Sequence, residues 1–247
     1  MSVFAILDPA VGLAHDVVAA LAQVVPTALA IVLFTVCVRL ALHPLARAAS
    51  RGEKARARLA PRIAELNRKH KGRPEKLQAA LAELYREEKA SPFAGCLPML
   101  VQIPFFSVMY RLFTTPNDLL GHTLFGAPLG LHVGSAHGAG EWVVFGVLYA
   151  GLAALGYVNF RRARRAQAKQ AAQAAQSPQS AQGQGQGAQA QPALAFLPYL
   201  SFGTVLFAAL VPLAAAVYLL TTSTWTAAER AWLYRDGAPE PAVPALA

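Results

Sequence analysis

At 247 residues, 55% hydrophobic and only 14% charged, with a mean hydropathy of +0.37, the chain is too apolar for an ordinary soluble domain. A net charge of +9 would suit nucleic acid, yet the basic residues sit beside apolar stretches instead. Thirteen of the 22 Lys and Arg lie in 45–91 and five in 161–169, with none in the first 38 residues or in 115–141. The expected partner is therefore the lipid bilayer, with no specific nucleic acid. By the positive-inside rule, 45–91 and 161–192 are cytoplasmic, and the N-terminus and 115–141 are outside.

In chain order, residues 1–22 read as an external amphipathic helix. Phe4, Leu7, Val11, His15 and Val18 recur every three to four positions, and a floppy terminus is the alternative. No cleaved signal is expected, because a basic n-region is missing and Asp8, Pro9 and Asp16 interrupt any apolar core. Residues 23–44 form the first membrane span, which is expected to stop at His43-Pro44, since proline breaks a helix. Cys37 in this span and Cys96 in the second read as buried thiols.

Residues 45–91 carry two amphipathic stripes, Leu59, Ile63 and Leu66, then Leu77, Leu81 and Leu84. The turn His70-Lys71-Gly72-Arg73-Pro74 separates them, so a cytoplasmic helical hairpin is expected. Its charged faces suit plain solvation or docking of headgroups or a partner. Residues 92–114 form the second span. They contain Pro92, Gly95, Pro98 and Pro104, breakers that membranes tolerate where neighbours or water satisfy the freed backbone. Gln102 falls mid-span, and Arg111 lies near the outer end, where it is expected to snorkel.

The external loop, 115–141, holds His122, His132 and His137 at a spacing that matches no compact metal motif. Residues 142–160 form a third span, sealed by Arg161-Arg162-Ala163-Arg164-Arg165. The Ala, Gln, Gly and Ser repeats of 161–192 read as a flexible cytoplasmic linker, helical at most at its start. The next apolar run, Ala193–Thr224, is about 48 Å long if helical, too long for one crossing of a ~30 Å core. Pro212 divides it into spans at 193–210 and 211–228, leaving 229–247 as a cytoplasmic tail. Five spans with N-terminus outside and C-terminus inside follow.

No Asp or Glu falls inside any expected span, so paired carboxylates, acidic proton relays and carboxylate metal sites are not expected in the bilayer. Nucleophile-elbow, phosphate-loop and zinc-protease motifs are absent too. The chain reads as no enzyme, with no cofactor and no metal. What remains is one cation, Arg39, inside the first span, with Gln102, Tyr110, Tyr218, Thr222, Ser223 and Trp225 as polar company and no anion to pair with it. Two readings stand. Arg39 lines a wet cleft that attracts an acidic or polar segment of another molecule, or it snorkels to an interface only about 7.5 Å away at Pro44.

The run Arg39-Leu-Ala-Leu-His-Pro-Leu45 is followed by Leu59-Ala-Pro-Arg-Ile63 and Leu84-Tyr-Arg-Glu-Glu-Lys-Ala-Ser-Pro-Phe-Ala-Gly-Cys-Leu-Pro98. Leu100-Val-Gln-Ile-Pro104, Pro212, Tyr218 and Thr222-Ser-Thr-Trp-Thr226 complete a pattern that resembles the YidC-type membrane protein insertases. The resemblance implies an all-α membrane protein in the bacterial cell membrane, with five transmembrane helices around a hydrophilic groove open to the cytoplasm. The groove arginine matches Arg39. It further implies nascent membrane proteins as substrates, received by the hairpin, with ribosome–nascent chain complexes and the Sec translocon as partners. With no β domain before the first span, the chain fits the short form found in Gram-positive bacteria. The tail Asp236–Ala247 departs from the long basic tail of many relatives. A small-solute transporter would call for internal repeats or titratable groups along a path, and a scaffold would act through the hairpin alone.

Overall fold

The computed structural model describes residues 8–70, 72–88, 97–175 and 202–235; for Arg56, 97–104 and 170–175 the backbone alone is described. Helix α1 is Asp8–Ala22, α2 Thr27–Lys69, α3 Pro74–Glu87, α4 Leu97–Thr114, α5 Ala139–Ala175, α6 Gly203–Ala208 and α7 Leu213–Leu233. Between α4 and α5 lies a two-stranded antiparallel hairpin, β1 Thr123–Leu124 and β2 Ala127–Pro128. Outside the described residues fall Phe4 and Leu7 of the N-terminal stripe, Pro92 to Cys96, the linker from 176 onward, the first part of the fourth span, and the tail from Asp236.

The helix end expected at His43-Pro44 is not there: α2 runs on through Pro44 and Pro61 for 43 residues. Span and first hairpin helix are one rod. An interior proline removes one backbone hydrogen bond and costs about 3 kcal/mol, so something must offset that cost for α2 to continue. Helix α7 lies along it in parallel and supplies contacts on both sides of Pro44. Arg39 reaches Thr222, His43 reaches Glu229, the Arg47 guanidinium lies 4.9 Å over the Trp232 ring, and Lys54 lies 5.5 Å over Tyr234. The Tyr234 hydroxyl also donates to the Glu53 carboxylate. Helix α7 thus splints α2 across its proline.

The arginine run after Phe160 does not end α5, which continues to Ala175. Its cations fold back on their own helix, Arg161 over Tyr157 and Arg164 over Phe160, while Arg162 Nη1 donates 2.9 Å to the Ala227 carbonyl of α7. Alanine-rich sequence past the arginines has high helix propensity, enough to carry the helix on.

Among the described residues, two segments are long and apolar enough to cross a bilayer, Thr27–Ala55 of α2 and Ala139–Lys169 of α5, yet only 22% of the most apolar window of each is buried. Leu29, Leu33 and Leu40 on α2 and Val143, Val147 and Val158 on α5 are exposed. A helix of such composition in a water-soluble core would be mostly covered, so this surface needs lipid. Cys37 belongs to the same outward face. It is exposed rather than the buried thiol expected from its place in the span.

The inward faces meet in one core, with Val18, Ile31, Met109, Phe113, Leu129, Phe145 and Leu213 all nearly inaccessible. Between α5 and α7 the close approach rests on Gly151, where an added Cβ would stand 3.1 Å from Leu220 Cδ1. Small residues let membrane helices pack this way.

The α1 end of the bundle is capped by the 115–138 loop. Leu213 and Ala214, whose N–H groups have no partner within α7, donate to the carbonyls of Leu131 at 2.9 Å and Leu129 at 2.8 Å. The hairpin turns at Phe125, with φ +48°, and Gly126, with φ +88°, and leaves Phe125 90% exposed at its tip. Helix α1 is tied to the same end by two polar contacts: the expected snorkelling of Arg111 is replaced by an ion pair with Asp8, and His15 Nε2 lies 2.8 Å from Asp118 Oδ1. Thr27, the first residue of α2, bonds His122 of the loop. The hydrogen bond to Asp118 raises the His15 pKa, with Asp16 adding to it, and the same bond lowers that of Asp118.

Two outcomes follow. Gly151→Leu forces α5 and α7 apart, an overpacking worth about 1–3 kcal/mol, and lowers the thermal midpoint in detergent. The His15–Asp118 contact is fully formed above the ordinary aspartate value of 3.8 and below the ordinary histidine value of 6.5, and is lost as pH rises through the raised histidine pKa. Hydrogen-exchange protection of α1, corrected for the intrinsic rate, therefore falls from pH 6.5 to 8, and Asp118→Asn removes that pH dependence.

Candidate functional site

Arg39 stands twelve residues into α2, about 18 Å along the rod, on a helix whose neighbouring outward positions are Leu33 and Leu40. It is half-buried rather than extended into solvent. Its Nε donates 3.0 Å to Thr222 Oγ1, and its Nη2 donates to the same oxygen. The Thr222 hydroxyl is turned to α2, whereas those of Thr221, Thr224 and Thr226 donate to the carbonyls four residues earlier at 2.9, 2.7 and 2.8 Å.

Of the other expected groove residues, Tyr218 and Trp225 share the α7 face turned to α2, Ser223 is buried one position past Thr222, and Tyr110 lies elsewhere. Tyr218 is buried between Phe105 and Phe113, ring centroids 6.1 Å from each, and lies within electrostatic reach of Arg39. Tyr218 Oη, Ser223 Oγ and Trp225 Nε1 are buried with no hydrogen-bond partner among the described residues. Tyr110 is 43% exposed with its ring against Phe106 and Phe207, next to Arg111 at the α1 end. Gln102 lies on α4, and its side chain is outside the described residues.

Sequence reasoning ended α7 too early. Tyr218, Thr222 and Trp225 follow one another at spacings of four and three, and the same spacing continues through Glu229 and Trp232. Across from them, Thr35, Arg39, His43 and Arg47 recur every four residues on α2. Glu229, one residue beyond the expected end of the fifth span, is the anion thought to be missing. Its Oε1 lies 2.6 Å from His43 Nδ1, its side chain is 12% exposed, and it acts electrostatically on Arg39. A carboxylate only accepts, so the proton of this bond sits on His43 Nδ1. Beside the pair opens a cleft of about 310 Å³ lined by Leu40, His43, Trp225, Ala228, Glu229 and Trp232.

Along the hairpin Leu59 and Leu84 are buried, while Ile63, Leu66, Leu77 and Leu81 are half-covered, and Arg62 pairs with Glu88 across the two helices. The remaining faces are exposed and charged. Among the described residues, no three His, Cys, Asp or Glu side chains gather as a metal site would require.

Comparison with known proteins bears on this wall directly. Residues 20–240, from the end of α1 to past α7, match the family of the 60Kd inner membrane protein. The chain is 43% identical over 90 residues to the membrane protein insertase YidC of Helicobacter pylori, a match covering 36% of this chain and 16% of that protein. It is 47% identical over 88 residues to the insertase of the same name from Pelagibacter ubique, covering 35% and 16%. With that of Clostridium perfringens it shares 40% identity over 91 residues, covering 37% and 38%. The matched stretch thus spans well under half the length of each of these relatives. The match of the family to nearly all of the bundle is nevertheless decisive: this chain belongs to the 60Kd inner membrane protein family, the family of the YidC-type insertases.

Proposed function

We propose that the protein is a membrane protein insertase, which receives polar segments of nascent hydrophobic proteins at the α2–α7 wall and releases their transmembrane segments into lipid. One observation carries this reading. A guanidinium on a lipid-exposed apolar helix is bonded to a single neutral oxygen, and beside it the buried Tyr218 Oη and Trp225 Nε1 have no hydrogen-bond partner among the described residues. Each such atom costs about 1–3 kcal/mol if left unmatched, so the wall is suited to water and to a passing polar chain.

In this proposal five helices span the membrane, with N-terminus outside and C-terminus in the cytoplasm. The spans are α2 down to about Pro44, α4, α5, the segment ending at α6, and α7. Arg39, Gln102, Tyr218, Thr222, Ser223 and Trp225 line a groove open to the cytoplasm, and the α2–α3 hairpin receives the substrate. Tyr110 lies outside it. Two features support closure on the outer side: the loop carbonyls on the α7 N-terminus, and the ties from α1 to Arg111 and Asp118. A short polar segment is drawn partway across by water and one positive charge, and partition of the following apolar segment into lipid drives the step. Ribosome–nascent chain complexes deliver the substrates, and the protein works alone or beside the Sec translocon.

The test is insertion of single-span substrates with acidic external tails into vesicles holding the full-length protein. Arg39→Ala and Arg39→Glu lower insertion about tenfold, the value of one lost charge-assisted contact, and Arg39→Lys retains more of it. Normal insertion by Arg39→Glu at matched protein level overturns the reading.

A further inference from the structure

Arg39 shares the α2–α7 wall with a second charge, Glu229, that faces the same space. Glu229 stands two turns, about 10.5 Å, beyond Thr222 on the same face of α7, and His43 stands one turn, about 6 Å, beyond Arg39 on α2. Their 2.6 Å bond fixes the carboxylate between the helices, where it acts on Arg39, and the cleft lined by Trp225, Ala228 and Trp232 leaves space beside it for a substrate side chain. Farther along, Arg47 is held over Trp232. From the hairpin side inward the wall therefore presents cation, carboxylate, cation.

Resting on the groove reading, we propose that Glu229 is a specificity-determining residue of the insertase: a fixed negative charge that a segment must pass to reach Arg39. The physical reason is direct. Any acidic group arriving at Arg39 competes with a carboxylate already acting on it, whereas a basic group on the segment finds a partner at Glu229. The groove therefore selects polar segments of low or mixed net charge over strongly acidic ones, and it accepts basic residues that Arg39 alone would repel. His43 positions the carboxylate without adding an opposing full charge when neutral.

Three single-span reporters that differ only in an external tail of charge −2, 0 or +2 decide it, with the full-length protein in vesicles of one lipid composition. Glu229→Gln raises insertion of the −2 tail and lowers that of the +2 tail, changing their ratio about threefold or more. Glu229→Asp, which keeps the charge, stays near the wild-type ratio. Equal changes for all three tails, the mark of a purely structural role, overturn the proposal. In protein that keeps Glu229, a photo-crosslinker at Ala228 captures the +2 tail more than the −2 tail, and the reverse order likewise overturns it. Arg39→Ala run in parallel separates the two readings. A charge-selective loss there with an unselective Glu229→Gln removes only the role of Glu229, and no effect of Arg39→Ala on any tail removes the groove itself.

Discussion

Everything in this bundle answers to a charge placed where solvation is poor. Arg39 sits on a helix whose surface is otherwise built for lipid, and an ionised guanidinium there costs a few kcal/mol unless a polar neighbour is supplied. Helix α7 supplies it, and doing so dictates the pairing of the two helices. Thr222 must face α2, which turns Tyr218, Trp225, Glu229 and Trp232 to the same side and aligns them with His43 and Arg47. The same contacts bracket Pro44, so the solution to a buried charge also supports the helix where it passes through a proline.

The two ends of the bundle are finished in different ways. At the α1 end, backbone carbonyls of Leu129 and Leu131 close over the first turn of α7, two side-chain contacts bind α1 to α4 and the loop, and a third binds the start of α2 to the loop. That end is knit by short bonds between elements far apart in sequence. At the hairpin end Arg47 and Lys54 lie over the rings of Trp232 and Tyr234, the Tyr234 hydroxyl donates to Glu53, and Arg62 pairs with Glu88.

Much of the site is visible in the residues themselves. The lone cation in an apolar run, the leucine stripes of the hairpin and the stripe from Tyr218 to Trp225 follow from composition and helical spacing. Pro212, at the N-terminus of α7, marks the break from α6. Other features depend on partners that local sequence does not reveal. Proline at position 44 reads as a stop because its local cost is real, and only the contacts from α7 outweigh it. Glu229 escapes notice because hydropathy ends the span at 228, whereas the helix, and with it the face that matters, continues to Leu233. Arg111 reads as a snorkelling side chain until α1, 103 residues away, places Asp8 beside it. Cys37 goes astray because being within a span does not say which way a side chain points.

The unbroken length of α2 has a mechanical side. From Pro44 to Lys69 the rod runs on for about 38 Å, with α3 folded back along it. A tilt of about 5° pivoting at Pro44 would sweep the far tip through roughly 3 Å and shift the backbone at Arg39, about 7.5 Å on the other side, by less than about 1 Å. In geometric terms the hairpin is the long arm of a rod whose short arm carries Arg39.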